Sequence, residues 1–252
     1  MGNGLPMERN DPEIEILLPV YNEGACIEQV IREIYDDFSK KLRCQFIICE
    51  DGSKDNTKEV IIKLSKEIPM KLVMSPERKG YSQAVKDGMK VLSAPFLLCL
   101  DADGQCDPKD FWNFWKLRNN FDVISGWRVN RHDSFWRLLF SRIFYFVYQL
   151  FFHIPSHDPS CPFMLAQKPV IEELVTKMDV MQEGFWWEFS ARVILSGYKT
   201  KEIKVNHRER LFGETQVYRL NKVTHIGYYH FLALFKISKQ MKKNNESINL
   251  II

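Results

Sequence analysis

The chain has 252 residues, enough for one α/β domain with an appendage and for a core that needs no disulfide or metal staple. Hydrophobic residues make up 45% and charged residues 27%, which excludes a disordered chain. The net charge of +3 is too small for binding through bulk charge, so no nucleic-acid partner is expected.

The N-terminus, MGNGLPMERNDPEIE, lacks the apolar core of a secretory signal. Pro6 stands where a myristoylation site needs Ser or Thr. None of the six cysteines forms a C-x-x-C pair, and Cys49 and Cys99 sit inside apolar runs. They read as reduced core thiols, so a cytoplasmic location is expected.

Strand and helix signals then alternate. EIEILLPVY is a strand, followed by a helix over 24–38 with Ile27, Val30, Ile31 and Ile34 on one face. QFIICED is a second strand, and Asp55 is a fitting N-cap for a helix carrying Val60, Ile61 and Leu64. MKLVMSP is a third strand and 82–92 a third helix. PFLLCLDAD is a fourth strand, PKDFWNFWKL a helix with Pro in its first turn, and FDVISGW a fifth strand. Apolar strands alternating with helices predict a mostly parallel sheet covered on both faces. In such sheets ligands bind beyond the carboxyl ends of the strands.

Polar clusters stand at those ends: Pro19-Val20-Tyr21-Asn22-Glu23, Glu50-Asp51-Gly52-Ser53 and Asp101-Ala102-Asp103-Gly104-Gln105. Asp101 and Asp103, two residues apart at a strand exit, can offer hard oxygens to Mg²⁺ or Mn²⁺, with Gln105 adding a neutral oxygen. The same residues also suit a polar turn. Asp51 can accept hydrogen bonds from a base or ribose, or simply shape a turn with Gly52. Lys79-Gly80 precedes a helix start, where backbone N–H groups meet phosphate.

Two aromatic blocks follow, 135–152 and 228–235, beside basic residues. No run reaches the ~20 apolar residues of a bilayer span. A helix over 135–154 is apolar almost all round, hence buried or lipid-facing. A helix over 221–240, with lysines after its aromatics, suits a membrane surface, the body of the domain or the interface of a homo-oligomer. Arg128, Arg131, Arg137 and Arg142 cluster in fifteen residues and suit either phosphate or a solvated basic face. Trp112 and Trp115 read as core; Trp186 and Trp187 either pack or flank an acceptor.

PVYNE, EDGS-x-D, the Lys79-Gly80 turn and DADGQ, in this order and spacing, resemble the GT-A fold glycosyltransferases of family 2. Gly126-Trp127-Arg128, Ser141-Arg142, Asp158-x-x-Cys161-Pro162-Phe163, Glu188 and Arg210-x-x-Gly213-Glu214-Thr215 resemble the dolichol-phosphate mannose synthase and polyprenyl-phosphate glycosyltransferase branch. Pro162 stands where that branch usually has Gly, and Gln216 where a Lys usually follows.

The resemblance implies an N-terminal extension over 1–12, a GT-A domain over 13–220 and a C-terminal amphipathic helix and tail over 221–252. Within the domain it implies a nucleotide-sugar half (13–128) and an acceptor half (129–220). Pro19, Tyr21, Glu23, Asp51, Lys79, Gly80, Asp101, Ala102 and Asp103 would hold a GDP- or UDP-linked sugar. Asp101, Asp103 and Gln105 would hold Mg²⁺ or Mn²⁺. Arg128, Arg131, Ser141, Arg142, Glu188 and Arg210 would meet acceptor or phosphate, with Asp103, Arg128 and Arg210 central to catalysis. The implied reaction is inverting transfer to a polyprenyl or dolichyl phosphate, on the cytoplasmic face of a membrane. Transfer to a glycan or glycolipid hydroxyl, and a catalytically silent binding module, are the competing readings. QxxRW is absent, which argues against a polysaccharide polymerase.

Overall fold

The computed structural model describes residues 11–129, 135–209 and 223–249. Its centre is a seven-stranded sheet: β1 (Ile14–Val20), β2 (Cys44–Asp51), β3 (Met70–Ser75), β4 (Phe96–Cys99), β5 (Val123–Val129), β6 (Met164–Gln167) and β7 (Thr200–Asn206). The strand order is β3-β2-β1-β4-β6-β5-β7. All neighbouring pairs are parallel except those of β6, which runs antiparallel to both β4 and β5. The sheet is therefore mostly parallel, as expected. It also crosses both stretches that the sequence reads as halves, because β6 lies between β4 and β5.

Strand periodicity divides the core in two. On β1, Ile14, Ile16, Leu18 and Val20 face one apolar layer, and Leu17 faces the other. The same alternation separates Phe46 and Ile48 from Ile47 and Cys49 on β2. Helix α1 (Ile27–Phe38) covers the first layer with Ile27, Val30, Ile31, Ile34 and Phe38, a helical spacing that puts every apolar residue on one stripe. α2 (Thr57–Leu64) joins it through Ile61 and Leu64. Asp55 caps α2 from two residues upstream, accepting from Thr57 N at 3.1 Å.

A 3₁₀ turn at Pro108–Asp110 leads into α4 (Phe111–Trp115). There Phe111 and Phe114 are fully buried, and Trp112 and Trp115 pack at their edge, as core aromatics. The opposite layer is covered by α3 (Tyr81–Lys90), α6 (Lys168–Val175) and α7 (Phe185–Leu195). The sequence pattern gives no clear signal for β6, α6, α7 and β7, which are short or lack clear periodicity. All six cysteines are free; burial raises the Cys49 thiol to about 12, which keeps it inert.

A third apolar cluster lies outside the sheet layers. α5 (Phe135–Phe152) and α8 (Val223–Asn249) pack on each other and on α7. Tyr148 is fully buried between Phe152 and Trp187, and its hydroxyl donates to Trp187 O at 3.0 Å. From α8, Leu234 and Ile237 are fully buried. The other side of the pair is open: Phe146 is 65% exposed, Leu150 61% and Phe235 62%. α5 is therefore neither wholly core nor wholly free, since its circumference is shared between the two environments. Among the described residues, no helix is long and apolar enough to cross a membrane.

Candidate donor and acceptor sites

The carboxyl ends of β1, β2 and β4 meet at one rim and are tied together by short polar bonds. Asn22, in the left-handed region at φ 55°, donates its N–H to Ser53 Oγ at 2.9 Å. Its Oδ1 accepts from Lys54 N at 2.8 Å. Gly52 has φ 72°, and a Cβ there would collide with the backbone of Glu77, so the β2 exit turns as only glycine allows. Asp51, 3% exposed, accepts from Lys79 N at 2.7 Å and Gly80 N at 2.8 Å. The turn before α3 is thus fixed by the carboxylate at the end of β2. Each Asp51 oxygen keeps a second lone pair for another donor.

A cavity opens at this rim, with Pro19, Tyr21, Glu23 and Asp51 on one side and Asp101, Ala102, Asp103 and Gln105 on the other. Tyr81 donates its hydroxyl to Asp101 Oδ1 at 2.8 Å and accepts from Trp186 Nε1 at 2.7 Å. Burial of that hydroxyl, and then the Asp101 charge, push the phenol well above its ordinary value, so it acts as a fixed donor. Asp103, 9% exposed, accepts from Gln105 N at 3.0 Å. Arg208 N donates to Gln105 O at 2.8 Å, while Gln105 Nε2 reaches Arg208 O at 3.3 Å. These bonds fasten the Asp103 loop to the chain beyond β7.

Two expected contacts differ in this geometry. The Lys79 ammonium pairs with Asp87 on α3 and does not line the cavity. Its neighbour Arg78 does line it, with the guanidinium 4.1 Å from the Tyr21 ring centroid. Glu188 is 1% exposed and lines neither cavity. Its oxygens accept from Met181 N at 2.7 Å, Val180 N at 3.2 Å and Arg192 Nε at 2.8 Å. It is a buried partner of Arg192 that closes the turn before α7, and the structure does not bring it together with the other expected acceptor residues.

Arg128, at the end of β5, lines the first cavity and also a second. Asp158 holds it in a two-pronged pair, Nε to Oδ2 at 2.7 Å and Nη2 to Oδ1 at 2.9 Å. Burial opposes the guanidinium charge, but Asp158 more than compensates and keeps it protonated. The second cavity is the roomier, about 510 Å³ against about 170 Å³. Ser141 and Arg142 of α5 form part of its wall, with Tyr145, Trp127 and Trp187. Trp187 therefore flanks this cavity, whereas Trp186 is tied to Tyr81. Arg131 and Arg210 lie outside the described residues, as do Gly213, Glu214, Thr215 and Gln216.

Arg78, Tyr81 and His207, which also line the first cavity, were missed at the sequence level. Arg78 and Tyr81 flank the Lys79-Gly80 pair that was noticed; His207 gave no signal. Pro162, a departure from the family pattern, lies in the same wall.

An α/β sheet whose parallel strands end in a carboxylate-lined cavity, with one antiparallel strand whose entering loop reaches the same rim, is a GT-A-like architecture. The chain belongs to glycosyl transferase family 2: the family's sequence model matches residues 15–175, more than half of the chain. It is 26% identical over 210 residues to an undecaprenyl-phosphate 4-deoxy-4-formamido-L-arabinose transferase of Salmonella choleraesuis (strain SC-B67). That match covers 81% of this chain but only 62% of the relative's length. Glucosyl-3-phosphoglycerate synthase from Mycobacterium tuberculosis, in complex with Mn²⁺, UDP-glucose and glycerol 3-phosphate, shares the fold with a TM-score of 0.64 at 14% identity. The match covers 92% of this chain and 87% of that one. A mannosyltransferase from Pyrobaculum calidifontis, in complex with GDP-mannose and Mn²⁺, gives 0.58 at 13% identity, covering 97% and 78%.

Proposed function

We propose that the chain is an inverting glycosyltransferase that moves a sugar from a GDP- or UDP-linked donor to a polyprenyl or dolichyl phosphate at the cytoplasmic face of a membrane. The observation that carries this reading is the pair of cavities sharing Arg128. One is lined by carboxylates at the strand ends; the other is walled by Ser141 and Arg142 on a helix whose far side is apolar and open. The similarity to the Salmonella undecaprenyl-phosphate transferase supports the lipid-phosphate acceptor.

In this reading Pro19, Tyr21, Glu23 and Asp51 hold the nucleoside, and Arg78 adds charge beside the Tyr21 ring. Asp101, Asp103 and Gln105 would hold Mg²⁺ or Mn²⁺. The donor set fits such an ion, since two carboxylates on one cavity wall leave positions for water and diphosphate oxygens. When bound, the ion neutralises charge on the departing diphosphate. Tyr81 keeps Asp101 oriented, and Gln105 N does the same for Asp103. A phosphate acceptor is already anionic at neutral pH and needs no general base. Arg128 and Arg142 would orient it, because a guanidinium matches phosphate oxygens in pairs. A hydroxyl acceptor would need a base; Glu188 is enclosed by Met181 N and Arg192 Nε, whereas Asp103 lines the cavity. The outward apolar face of α5 and α8, with the exposed Lys236 beside Phe235, would rest on the lipid surface.

The deciding assay is a screen of GDP- and UDP-sugars with Mn²⁺ or Mg²⁺ against polyprenyl phosphate and hydroxyl acceptors. Turnover of one nucleotide sugar onto the lipid phosphate, with inversion at the anomeric carbon, is expected. Transfer to hydroxyls alone would overturn the acceptor assignment, and no nucleotide-sugar binding at all would favour a silent module.

A further inference from the structure

Because β6 runs against its neighbours, the loop that enters it shares the rim with the exit of β5. That loop brings Asp158 to Arg128. A single carboxylate on the edge strand β7 holds the loop. Glu202 accepts from Ser156 Oγ at 2.7 Å, from His157 N at 2.9 Å and from Asp158 N at 3.0 Å. It also pairs with His157 Nδ1 at 2.7 Å. The imidazole in turn stacks on Trp127, the residue before Arg128, with centroids 4.1 Å apart and planes 13° from parallel. From the other side, α5 grips the same loop: Tyr145 donates its hydroxyl to Ser156 O at 2.7 Å, and Gln149 Nε2 donates to Ile154 O at 2.7 Å.

We infer that Glu202 is a positioning residue for Arg128, acting through residues 156–158. Its two oxygens collect the donors of three consecutive residues and so fix the backbone from which the Asp158 side chain projects. Asp158, with Ser160, then takes Nε and Nη2 of Arg128. The guanidinium that lines both cavities is thereby oriented before any ligand arrives, so its alignment need not be won from the ligand's own binding energy. Of this chain of contacts only the Arg128 guanidinium reaches the first cavity, whereas His157 and Asp158 line the second alone. Loss of Glu202 should therefore fall mainly on the acceptor phosphate and less on the donor. The acceptor part of this inference rests on the function proposed above.

The test uses the full chain with Glu202→Gln and Glu202→Ala. Glutamine keeps one accepting oxygen and replaces the other with a donor, which opposes the N–H groups it must receive. The KM for polyprenyl phosphate should rise about tenfold in Glu202→Gln and further in Glu202→Ala, with a distinctly smaller rise in donor KM. Hydrogen exchange gives a substrate-free reading: the His157 and Asp158 amides should exchange faster in both variants, while those of β1 and β2 keep their protection. The Arg128 Nε–H resonance should lose its exchange protection as well. Equal rises in donor and acceptor KM, or unaltered exchange at 157, 158 and Arg128 Nε, would overturn the inference. If the unsubstituted protein ignores polyprenyl phosphate, the proposed acceptor fails, and the exchange data alone decide whether Glu202 holds the Asp158–Arg128 pair.

Discussion

The strand-end rim and the α5–α8 pair are built on opposite principles. At the rim, side chains meet backbone groups across thirty or so residues: Asn22 with Ser53, Asp51 with Lys79 and Gly80. Each bond is short and directional, so the cavity wall is set before a ligand enters. α5 is joined to α7 by rings, Phe144 and Tyr148 against Trp187, and to α8 by Phe151 against Phe231 and by an apolar cluster that includes Leu234 and Ile237. Ring packing defines contact area rather than angle, and here it covers one side only. The contrast teaches that this molecule places its geometric demands where diphosphate chemistry is proposed and its adhesive surface where lipid is proposed.

Four perturbations bear on that contrast. Asp103→Ala should reduce sugar transfer about a thousandfold with an unchanged circular dichroism spectrum, since it removes a ligand of the proposed ion but no core contact. Activity close to that of the unsubstituted enzyme would detach the cavity from the chemistry. Next, replacing Phe146, Leu150 and Phe235 together by Glu should weaken binding to anionic vesicles about a hundredfold, because partial immersion of each side chain, roughly 40 Å² at about 25 cal/mol per Å², contributes about 1 kcal/mol. All three are exposed, so the melting temperature should hold. Flotation equal to the unsubstituted protein would mean that the face serves another partner, and a change in sedimentation would point to a second copy.

Tyr81→Phe keeps the ring and deletes the hydroxyl between Asp101 and Trp186. About tenfold weaker Mn²⁺ binding in the presence of nucleotide diphosphate is expected, read by paramagnetic resonance without turnover. Tighter binding would show that the hydroxyl competes with the ion. The smallest effect concerns His230 on α8, beside Phe144 and Gly184, where burial lowers its pKa from the ordinary 6.5. The unfolded chain takes up a proton there as pH falls through about 6.5, and the folded chain does so only at lower pH. Stability should therefore decline on acidification below that point, and His230→Phe should flatten this part of the profile in thermal melts. An unaltered slope would mean that α8 docking does not depend on the imidazole.

The sequence made much of the rim legible because its signals are local. LLCL followed by DAD marks a buried strand leaving the sheet, and FIICED with Gly52 marks the next one. What escaped notice depends on groups far apart in the chain. Arg78 and Lys79 are adjacent and equally basic; their roles separate only because Asp87, on the following helix, captures the lysine. Glu188 looks like a site carboxylate until Arg192 and the 180–181 amides enclose it. FMLAQ is too short to announce a strand and carries no mark of direction, so the antiparallel β6 was invisible. Glu202 lies on an edge strand among alternating lysines, where a lone acid suggests only solvent exposure. The aromatic blocks stand out in the sequence, but periodicity does not divide α5 into its packed and open sides.

The reversal of β6 has a consequence for how such a molecule can diversify. β5 and β6 are antiparallel neighbours, a pairing that a tight two-residue turn could have closed. Here the connection runs from residue 130 to residue 163 and contains α5 and the Asp158 loop. Everything between those two anchor points is, in topological terms, an oversized hairpin loop. Apart from Cys161 and Phe163, which are buried in the core, α5 and the Asp158 loop stand outside the strands that carry Asp51 and lead to Asp101 and Asp103. Under the proposed function, a change of acceptor would fall on this excursion and leave the strand-end rim in place.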